Sequence, residues 1–221
     1  MLNTAVIVIG GDEVPADALE DLPDRRWVIA ADSGLDHAAH IGLDVDFVVG
    51  DMDSVDARRL ETHRGPVDLH PTDKEATDFE LALDHALDRP NIERIIVLGG
   101  RGGRIDHFLA NAAVIANPKF ERCEIVWIAG TARTTVVRHH TQLHGTPGQT
   151  VSLLAAGGDV VGITTAGLRW ELSNEDLPFG STRGVSNELA RPFATVRIRS
   201  GCLFVIVPGP MHDTDPAPGV A

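Results

Sequence analysis

The sequence contains no tyrosine, only 5% aromatic residues and only two cysteines among its 221 residues. Basic residues are also scarce, because 19 Lys and Arg stand against 32 Asp and Glu, giving a formal net charge of -13. Nucleic-acid backbones are bound by clustered Lys and Arg, and no basic stripe is present, so the composition disfavours a nucleic-acid partner. Cys123 and Cys202 stand beside β-branched or aromatic runs and are expected to be small buried hydrophobes in a reducing cytoplasm.

Long hydrophobic runs are missing as well. No segment approaches the roughly 20 apolar residues that are needed to span a bilayer. The first apolar run, Thr4 to Ile9, is too short for a secretory signal and has no basic leader. We therefore expect a soluble, cytoplasmic protein without a membrane partner. Because 43% of its residues are hydrophobic, the chain can still bury an ordinary core.

The negative charge is confined to the first part of the chain. Residues 1–129 hold 17 Asp and 8 Glu against 10 Arg and 2 Lys, whereas residues 130–221 are neutral overall. Such a difference in composition predicts two domains, at residues 1–129 and 130–209. The proline-rich stretch that follows, residues 210–221, is expected to be a disordered tail.

The hydrophobic pattern changes at the same place. In the first part, short β-branched runs alternate with helical patterns, which predicts an α/β fold: a doubly wound, mostly parallel sheet with helices on both faces. After Gly130 the apolar runs are short and separated by Gly or Pro, and no convincing helix follows residue 117. This second pattern predicts a C-terminal antiparallel β-sandwich, with one of its strands at Leu168 to Leu172.

Three loops of the first part follow predicted strands and carry residues suited to chemistry. They are GDMDS at residues 50–54, PTDKEATDFE at residues 71–80 and LGGRGGRIDH at residues 98–107. In an open parallel sheet, ligands usually bind at the loops beyond the carboxyl ends of the strands. We therefore expect the three loops to meet at one edge of the sheet.

The first two loops are acidic. Asp51 and Asp53 stand two residues apart beyond a strand end and can both reach one hard cation, which prefers oxygen ligands. In the second loop Lys74 stands with Asp73 and Asp78, a combination that suits a site holding both a metal and a polyphosphate. The structural alternatives are a turn for the first loop and a helix-capping box for the second.

The third loop has the features of an anion site. Its four glycines expose backbone N–H groups, and Arg101 and Arg104 add guanidinium groups near a predicted helix N-terminus. The spacing fits neither the dinucleotide-binding fingerprint nor the P-loop. Asp106 could approach a metal from this loop, and capping the following helix is an equally good role for it. A flexible surface loop is the structural alternative.

A fourth region lies in the predicted β-sandwich. Trp170 belongs to TTAGLRWEL at residues 164–172, and RGVSNEL follows at residues 183–189. An indole face with Ser and Asn nearby would suit a flat heteroaromatic ligand. A tryptophan in a strand is more commonly part of the core, so both interpretations stay open.

Taken together, the ordered motifs GDMDS, TDKEATDFE, GGRGGRIDH, TTAGLRWEL and SNE resemble those of the thiamine pyrophosphokinase family. The resemblance extends from about residue 10 to residue 190. It implies an N-terminal α/β domain, a C-terminal β-sandwich and a homodimer with active sites between subunits. It also implies Mg²⁺-dependent, direct transfer of the β,γ-pyrophosphoryl group of ATP to the hydroxyl of thiamine, giving thiamine diphosphate and AMP.

The resemblance also implies roles for particular residues. The catalytic residues would be Asp51, Asp53, Asp73, Asp78 and Asp106, of which the first four would bind Mg²⁺. The ATP-binding residues would be Asp32, Ser33, Lys74, Thr77, Arg101, Gly102, Gly103 and Arg104. The thiamine-binding residues would be Trp170, Ser186 and Asn187.

Two other functions stay open at this point. One is an aspartyl-phosphate phosphatase built on the Asp51-x-Asp53 loop, although two predicted strands precede that loop and such an enzyme needs it after the first. The other is a non-catalytic nucleotide-binding module on the same fold. Acidic residues in all three loops count against that module.

Overall fold

The computed structural model describes residues 3–12, 14–20 and 22–209, so the predicted disordered tail at residues 210–221 lies outside the described residues. The strands are β1 (Thr4–Val8), β2 (Trp27–Ala31), β3 (Phe47–Gly50), β4 (Val67–Leu69), β5 (Arg94–Leu98), β6 (Glu124–Ala129), β7 (Ala132–Val137), β8 (His140–His144), β9 (Thr150–Ala155), β10 (Val160–Ala166), β11 (Ser173–Leu177), β12 (Asn187–Glu188), β13 (Phe193–Arg197) and β14 (Leu203–Val207). The α-helices are α1 (Gly34–His40), α2 (Ala57–Thr62), α3 (Asp78–Asp88) and α4 (Ile105–Ala116). Two 3₁₀ turns lie at Ala16–Leu19 and Pro118–Phe120.

The first six strands form a parallel sheet in the order β6-β5-β1-β2-β3-β4. Alternate residues of a strand point to opposite faces, so Ile7 packs in one core with α3 and α4 while Val8 packs in another with α1. Helices therefore cover both faces, as the alternating sequence pattern predicts. The strand order reverses between β1 and β5, and this switch point is where a doubly wound sheet binds ligands.

The same sheet continues into the second part of the chain. A turn at Gly130, which has a φ of 59°, reverses the chain so that β7 pairs antiparallel with β6. Strands β14, β9 and β12 then extend the sheet to ten strands, all antiparallel to their neighbours. The boundary predicted at residue 129 thus falls in a turn between two paired strands, and the domain ranges themselves stay a prediction.

A second, four-stranded antiparallel sheet has the order β11-β10-β13-β8. Apolar side chains from both sheets meet in one core, in which Leu153 and Leu203 come from the large sheet and Ile163 and Val196 from the small one. This arrangement confirms the predicted sandwich of antiparallel strands.

The strand predicted at Leu168 to Leu172 is wrong. Gly167 adopts a left-handed conformation with a φ of 87°, which ends β10, and Leu168 makes only an isolated bridge to Leu189. The next strand, β11, begins after this segment and pairs antiparallel with β10. Residues 168–172 therefore form an irregular connection in which side-chain directions do not alternate as in a strand.

Both cysteines are free and buried, as predicted. Burial raises the pKa of both the Cys123 and the Cys202 thiol, so each behaves as a small hydrophobe. The longest α-helix has 12 residues, and within the part of the chain that the structure describes no helix could cross a bilayer.

Candidate active site

The loops that follow β1 and β5 meet at the switch point of the sheet. The backbone N–H of Gly100 donates to the carbonyl of Gly10 at 2.7 Å, and the N–H of Asp12 donates to the carbonyl of Arg101. Gly11, with a φ of 123°, has no room for a side chain, because a Cβ there would lie 2.4 Å from the carbonyl oxygen of Arg101. These contacts hold two glycine-rich loops side by side.

Three carboxylates converge beside these loops. Asp32 follows β2, Asp51 follows β3 and Asp78 is the first residue of α3, and one oxygen of each lies within 4.8 Å of the others. The N–H of Asp32 donates to the Val49 carbonyl at 2.9 Å, which fixes Asp32 against β3. The parallel pairing of β2 and β3 thus brings the ends of two strands, and their acidic residues, to one place.

Close packing of the backbone permits this convergence. A Cβ at Gly50 would lie 3.0 Å from Asp78 Oδ1 and 3.3 Å from the Cβ of Asp32, and the φ of Gly50 is 145°. Asp32 itself has a φ of 48°, in the left-handed region that Asp tolerates better than most residues. Strain of this kind concentrates at functional sites, where surrounding structure enforces it.

Lys74 lies between two of the carboxylates. Its Nζ is 2.9 Å from Asp51 Oδ2 and 3.0 Å from Asp78 Oδ1. The Lys74 and Asp51 side chains are only 13% and 11% exposed, so the pair is shielded from water far better than an ordinary surface ion pair. Lys74 therefore supplies one positive charge to a group that carries up to three negative ones.

The pKa directions follow from this arrangement. The hydrogen bond from Lys74 lowers the pKa of Asp51 below its usual range. Burial raises the pKa of Asp78, the neighbouring Asp51 and Asp32 charges add to the rise, and Lys74 opposes it. Burial alone would lower the pKa of Lys74, but the contacts with Asp51 and Asp78 raise it above its ordinary value. Lys74 is therefore an ammonium at neutral pH.

The three carboxylates fit a hard divalent cation. Asp32 Oδ1 is buried without a hydrogen-bond partner, and a buried carboxylate oxygen without one is costly unless it ligates an ion. Oxygen ligands from carboxylates are those that Mg²⁺ prefers. Asp53 lies outside this group, with its Oδ1 2.8 Å from the Ser54 hydroxyl oxygen, while Asp73 is exposed. Their predicted metal roles stay predictions.

A cleft of about 300 Å³ opens between the carboxylates and the glycine-rich loops. Six of the eight predicted ATP-binding residues line it: Asp32, Ser33, Thr77, Gly102, Gly103 and Arg104. Lys74 lies beside the cleft, where its ammonium contacts Asp51 and Asp78. Arg101 lies apart, with its guanidinium packed against Gly130 and 3.9 Å from Asp12. The structure thus gathers most of the predicted set around one opening.

Asp106 pairs with Arg104 and lies apart from the three-carboxylate group. Arg104 Nη2 lies 2.6 Å from Asp106 Oδ2, and both side chains are largely exposed. The hydrogen bond from Arg104 lowers the pKa of Asp106 to about 2. Asp106 is in the first turn of α4 and is not in the three-carboxylate group, so its predicted catalytic role stays a prediction.

Several residues of the cleft have no role assigned to them from the sequence. Gly10 and Gly11 follow β1, Ser54 donates to Asp32 Oδ2 at 2.7 Å, and His107 and Asn111 lie along α4. The Gly-Gly pair after an apolar run is the one sequence cue that could have identified the first of these. His107 and Asn111 carry no such cue, because their position depends on how α4 packs.

In the β-sandwich, Trp170 is exposed and Asn187 is buried. Trp170 is 53% exposed, and the guanidinium of Arg169 lies over its ring, 4.7 Å from the ring centroid. Asn187 Oδ1 accepts from the N–H of Trp170 at 3.1 Å, and its Nδ2 donates to the Trp170 carbonyl at 2.8 Å. The alternative that Trp170 is a core residue is therefore wrong. Neither residue lines the cleft, nor does the exposed Ser186.

Two family models match this chain in order. Residues 20–127 match the model described as thiamin pyrophosphokinase, catalytic domain. Residues 135–203 match the model described as thiamin pyrophosphokinase, vitamin B1 binding domain. The chain belongs to the thiamine pyrophosphokinase family.

Individual relatives agree with this assignment. The thiamine pyrophosphokinase of Bacillus subtilis (strain 168) is 28% identical over 220 residues, which cover 93% of this chain and 98% of the relative. Thiamine pyrophosphokinase 2 of Arabidopsis thaliana is 27% identical over 174 residues, which cover 73% of this chain and 64% of the plant protein. These names favour neither the phosphatase nor the non-catalytic module.

Solved structures of the family share the fold. The crystal structure of thiamine pyrophosphokinase from Bacillus subtilis matches with a TM-score of 0.82 at 24% identity, covering 94% of this chain and all of that one. Thiamin pyrophosphokinase from Candida albicans matches with a TM-score of 0.73 at 14% identity, covering 94% and 89%. In this chain, the catalytic match contains the three carboxylates, whereas the vitamin B1 binding match contains Trp170 and Asn187.

Proposed function

We propose that this protein is a magnesium-dependent thiamine pyrophosphokinase, which transfers the β,γ-pyrophosphoryl group of ATP to the hydroxyl of thiamine. The products are thiamine diphosphate and AMP. The observation that carries the proposal is the group of Asp32, Asp51 and Asp78 beside a cleft lined by glycine-rich loops. Carboxylates repel phosphates, so such a pairing serves a nucleotide only when a cation stands between them.

The ATP phosphates would lie against the third loop. The backbone N–H groups of Gly102 and Gly103, the N-terminus of α4 and the Arg104 guanidinium all favour an anion there. Asp32, Asp51 and Asp78 would hold Mg²⁺, which neutralises phosphate oxygens and orients the polyphosphate chain. The Lys74 ammonium contacts Asp51 and Asp78 beside the cleft and would share in neutralising the phosphate oxygens.

The reaction would be a direct, one-step displacement. The hydroxyl oxygen of thiamine attacks the β-phosphorus of ATP and its proton is released to the solvent, while the bond between that phosphorus and the oxygen bridging to the α-phosphate breaks, releasing AMP. The residues of the cleft contribute alignment and charge neutralisation and form no covalent bond with the substrate. Detection of a pyrophosphorylated enzyme on the reaction path would overturn this mechanism.

Thiamine would be bound by the β-sandwich. The exposed face of Trp170 suits a flat heteroaromatic ring, and Asn187 fixes the backbone on which Trp170 stands. Because Trp170 does not line the nucleotide cleft of its own chain, we propose a homodimer in which it serves the partner's cleft. Ile105 and Leu109 are exposed in the single chain and lie one turn apart on α4 beside the cleft. Such an exposed apolar pair supports a surface that a second subunit covers. The free, buried cysteines fit a cytoplasmic location.

Incubation with ATP, Mg²⁺ and thiamine, followed by separation of the products, tests the proposal. We expect thiamine diphosphate and AMP in equal amounts, and neither when Mg²⁺ is chelated. Thiamine monophosphate with ADP would change the reaction class to a simple kinase. Release of inorganic phosphate from phosphoesters without ATP would favour the phosphatase. Nucleotide binding without any product would favour the non-catalytic module.

A further inference from the structure

A second group of metal-ligating side chains lies at the outer edge of the sheet. Asp68 in β4, His70 just after β4 and His85 in α3 each offer one ligand atom, and these atoms lie within 4.8 Å of one another. Asp68 Oδ2 is 3.0 Å from His70 Nε2 and 2.9 Å from His85 Nε2. We call these three residues the histidine cluster.

The chemistry of the histidine cluster differs from that of the three carboxylates. Two imidazole nitrogens and one carboxylate oxygen suit Zn²⁺ and similar transition metals, whereas Mg²⁺ prefers oxygen ligands alone. Zinc bonds of about 2.0–2.2 Å in a tetrahedral site separate neighbouring ligand atoms by about 3.3 Å. The observed separations from Asp68 Oδ2 are a few tenths of an ångström shorter, so a small outward movement would admit an ion.

The side chains are held in place from both sides. Asp68 and His70 are two residues apart, so they project to the same face of the chain at β4, and the N–H of His70 donates to the Gly50 carbonyl at 2.9 Å. The His85 ring packs on Phe47, with ring centroids 4.6 Å apart. All three side chains are partly exposed, at 28% for each histidine and 42% for Asp68, so an ion and a water ligand could reach them.

One oxygen of Asp68, Oδ2, contacts both imidazoles, so the three ligand atoms already lie together. A carboxylate and two imidazoles are a competent ligand set without further protein groups, because zinc sites with an open position commonly keep three protein ligands and one water.

We propose that Asp68, His70 and His85 bind a divalent transition-metal ion of the Zn²⁺ type, at a site separate from the nucleotide cleft. The ion would join β4 to α3, the two elements that flank the loop at residues 71–77. That loop carries Lys74, so the ion would restrain both ends of the segment that places the ammonium between Asp51 and Asp78. His85 follows Asp78 by seven residues, about 10 Å along the axis of α3, so the two sites are distinct.

Titration of the protein with Zn²⁺ alone by calorimetry, and with Co²⁺ by visible absorption, tests the site. We expect one Zn²⁺ per chain, retained in a large excess of Mg²⁺, and a tetrahedral Co²⁺ spectrum. His85→Gln and, separately, His70→Gln should each weaken Zn²⁺ binding by at least about 10–100-fold. The exposed His144 in β8 provides the matched control, because His144→Gln removes an imidazole from elsewhere and should change nothing.

Asp51→Asn separates this inference from the proposed function. It alters the carboxylate group without touching the histidine cluster, so Zn²⁺ binding should persist while Mg²⁺-dependent transfer slows on the order of 10²–10³-fold. Zn²⁺ should also raise the melting temperature of the parent protein and of Asp51→Asn, but not of the two cluster variants. Unchanged Zn²⁺ affinity in folded His70→Gln and His85→Gln, judged by circular dichroism, would overturn the proposal, as would loss of Zn²⁺ binding in Asp51→Asn alone.

Discussion

Asp51 and Asn187 are both shielded polar residues in the two halves of the proposed active site, but they have different partners. The Asp51 carboxylate has its shortest contact with a side chain, because Oδ2 accepts from the ammonium of Lys74 at 2.9 Å while Oδ1 accepts from the backbone N–H of Asp53 at 3.3 Å. The Asn187 amide contacts backbone, because its Oδ1 accepts from the N–H groups of Trp170 and Glu188 and its Nδ2 donates to the Trp170 carbonyl. A side-chain partner can move away when a ligand arrives, whereas backbone partners cannot. Oδ2 of Asp51 is therefore free to exchange its partner for a ligand, whereas the Asn187 amide supports the backbone around Trp170.

Asp51→Asn is expected to have the largest effect on the reaction. It keeps the size of the side chain but removes one of three charges from the carboxylate group. We expect the rate of thiamine diphosphate formation to fall on the order of 10²–10³-fold, the loss typical of one removed electrostatic contact in an active site. Steady-state assays at saturating ATP and varied Mg²⁺ measure it.

The same substitution should leave the fold intact. Lys74 keeps its ion pair with Asp78, so we expect the free energy of unfolding in urea to change by less than about 1 kcal/mol. Asp44→Asn, at an exposed residue before β3, is the control for removing a negative charge, and its activity should equal that of the parent. Full activity of Asp51→Asn would contradict the role of Asp51 in the reaction, and with it the contrast between Asp51 and Asn187.

Asn187→Ala should show the opposite result, a loss of stability. Asn187 is 5% exposed, and its removal leaves the N–H and carbonyl of Trp170 without their partner. We expect the free energy of unfolding to fall by about 1–3 kcal/mol, the cost of unsatisfied buried polar groups. Urea denaturation followed by Trp fluorescence measures the loss.

The kinetic consequence of Asn187→Ala should appear in the KM for thiamine, because the backbone of Trp170 loses its support. The rate at saturating thiamine should change little, since the carboxylate group is untouched. Ser152→Ala is a matched control, because its hydroxyl accepts one hydrogen bond from the N–H of Ser186, and the substitution should be milder in both measurements. Equal stability of Asn187→Ala and the parent would show that the amide has no structural role.

The sequence predicts more of the first half than of the second because different forces shape them. Helices and parallel strands follow from hydrophobic period, and the loops after strands must meet at one edge, which explains why Asp51 and Asp78 could be predicted together. The place of Asp32 in the three-carboxylate group depends on the pairing of β2 with β3, which sets Ala31 beside Val49. Which strands pair is decided by tertiary structure and not by the local sequence pattern. In the second half, the left-handed conformation of Gly167 ends β10, so the strand predicted at Leu168 to Leu172 does not form.

Residues far apart in sequence were the least predictable. His70 and His85 are 15 positions apart, and only the packing of α3 on the sheet brings both to Asp68. Spacing alone gives no reason to connect them. Likewise, the contact between Arg169 and Trp170 could not be predicted, because in a regular strand neighbouring side chains point to opposite faces.

Trp170→Ala tests whether the exposed ring binds thiamine. We expect the KM for thiamine to rise about 10-fold, close to the value of one aromatic contact, while the KM for ATP stays unchanged. Because Trp170 is 53% exposed, the free energy of unfolding should hardly change, in contrast to Asn187→Ala. Trp170→Phe is the conservative control and should retain most of the affinity. A normal KM for thiamine in Trp170→Ala would exclude the ring from the site.

Arg169→Gln is expected to have the smallest effect. The guanidinium lies over the Trp170 ring and also pairs with Glu188 at 2.9 Å, but the Arg169 side chain is 59% exposed. Exposed ion pairs and cation–π contacts contribute about 0.2–1 kcal/mol each, so the KM for thiamine should rise no more than about five-fold. The rise should vanish in the Trp170→Ala background, because Arg169 would then have no ring to position. A double-mutant cycle on the two residues measures this coupling, and strictly additive effects would mean that Arg169 acts on thiamine independently of Trp170.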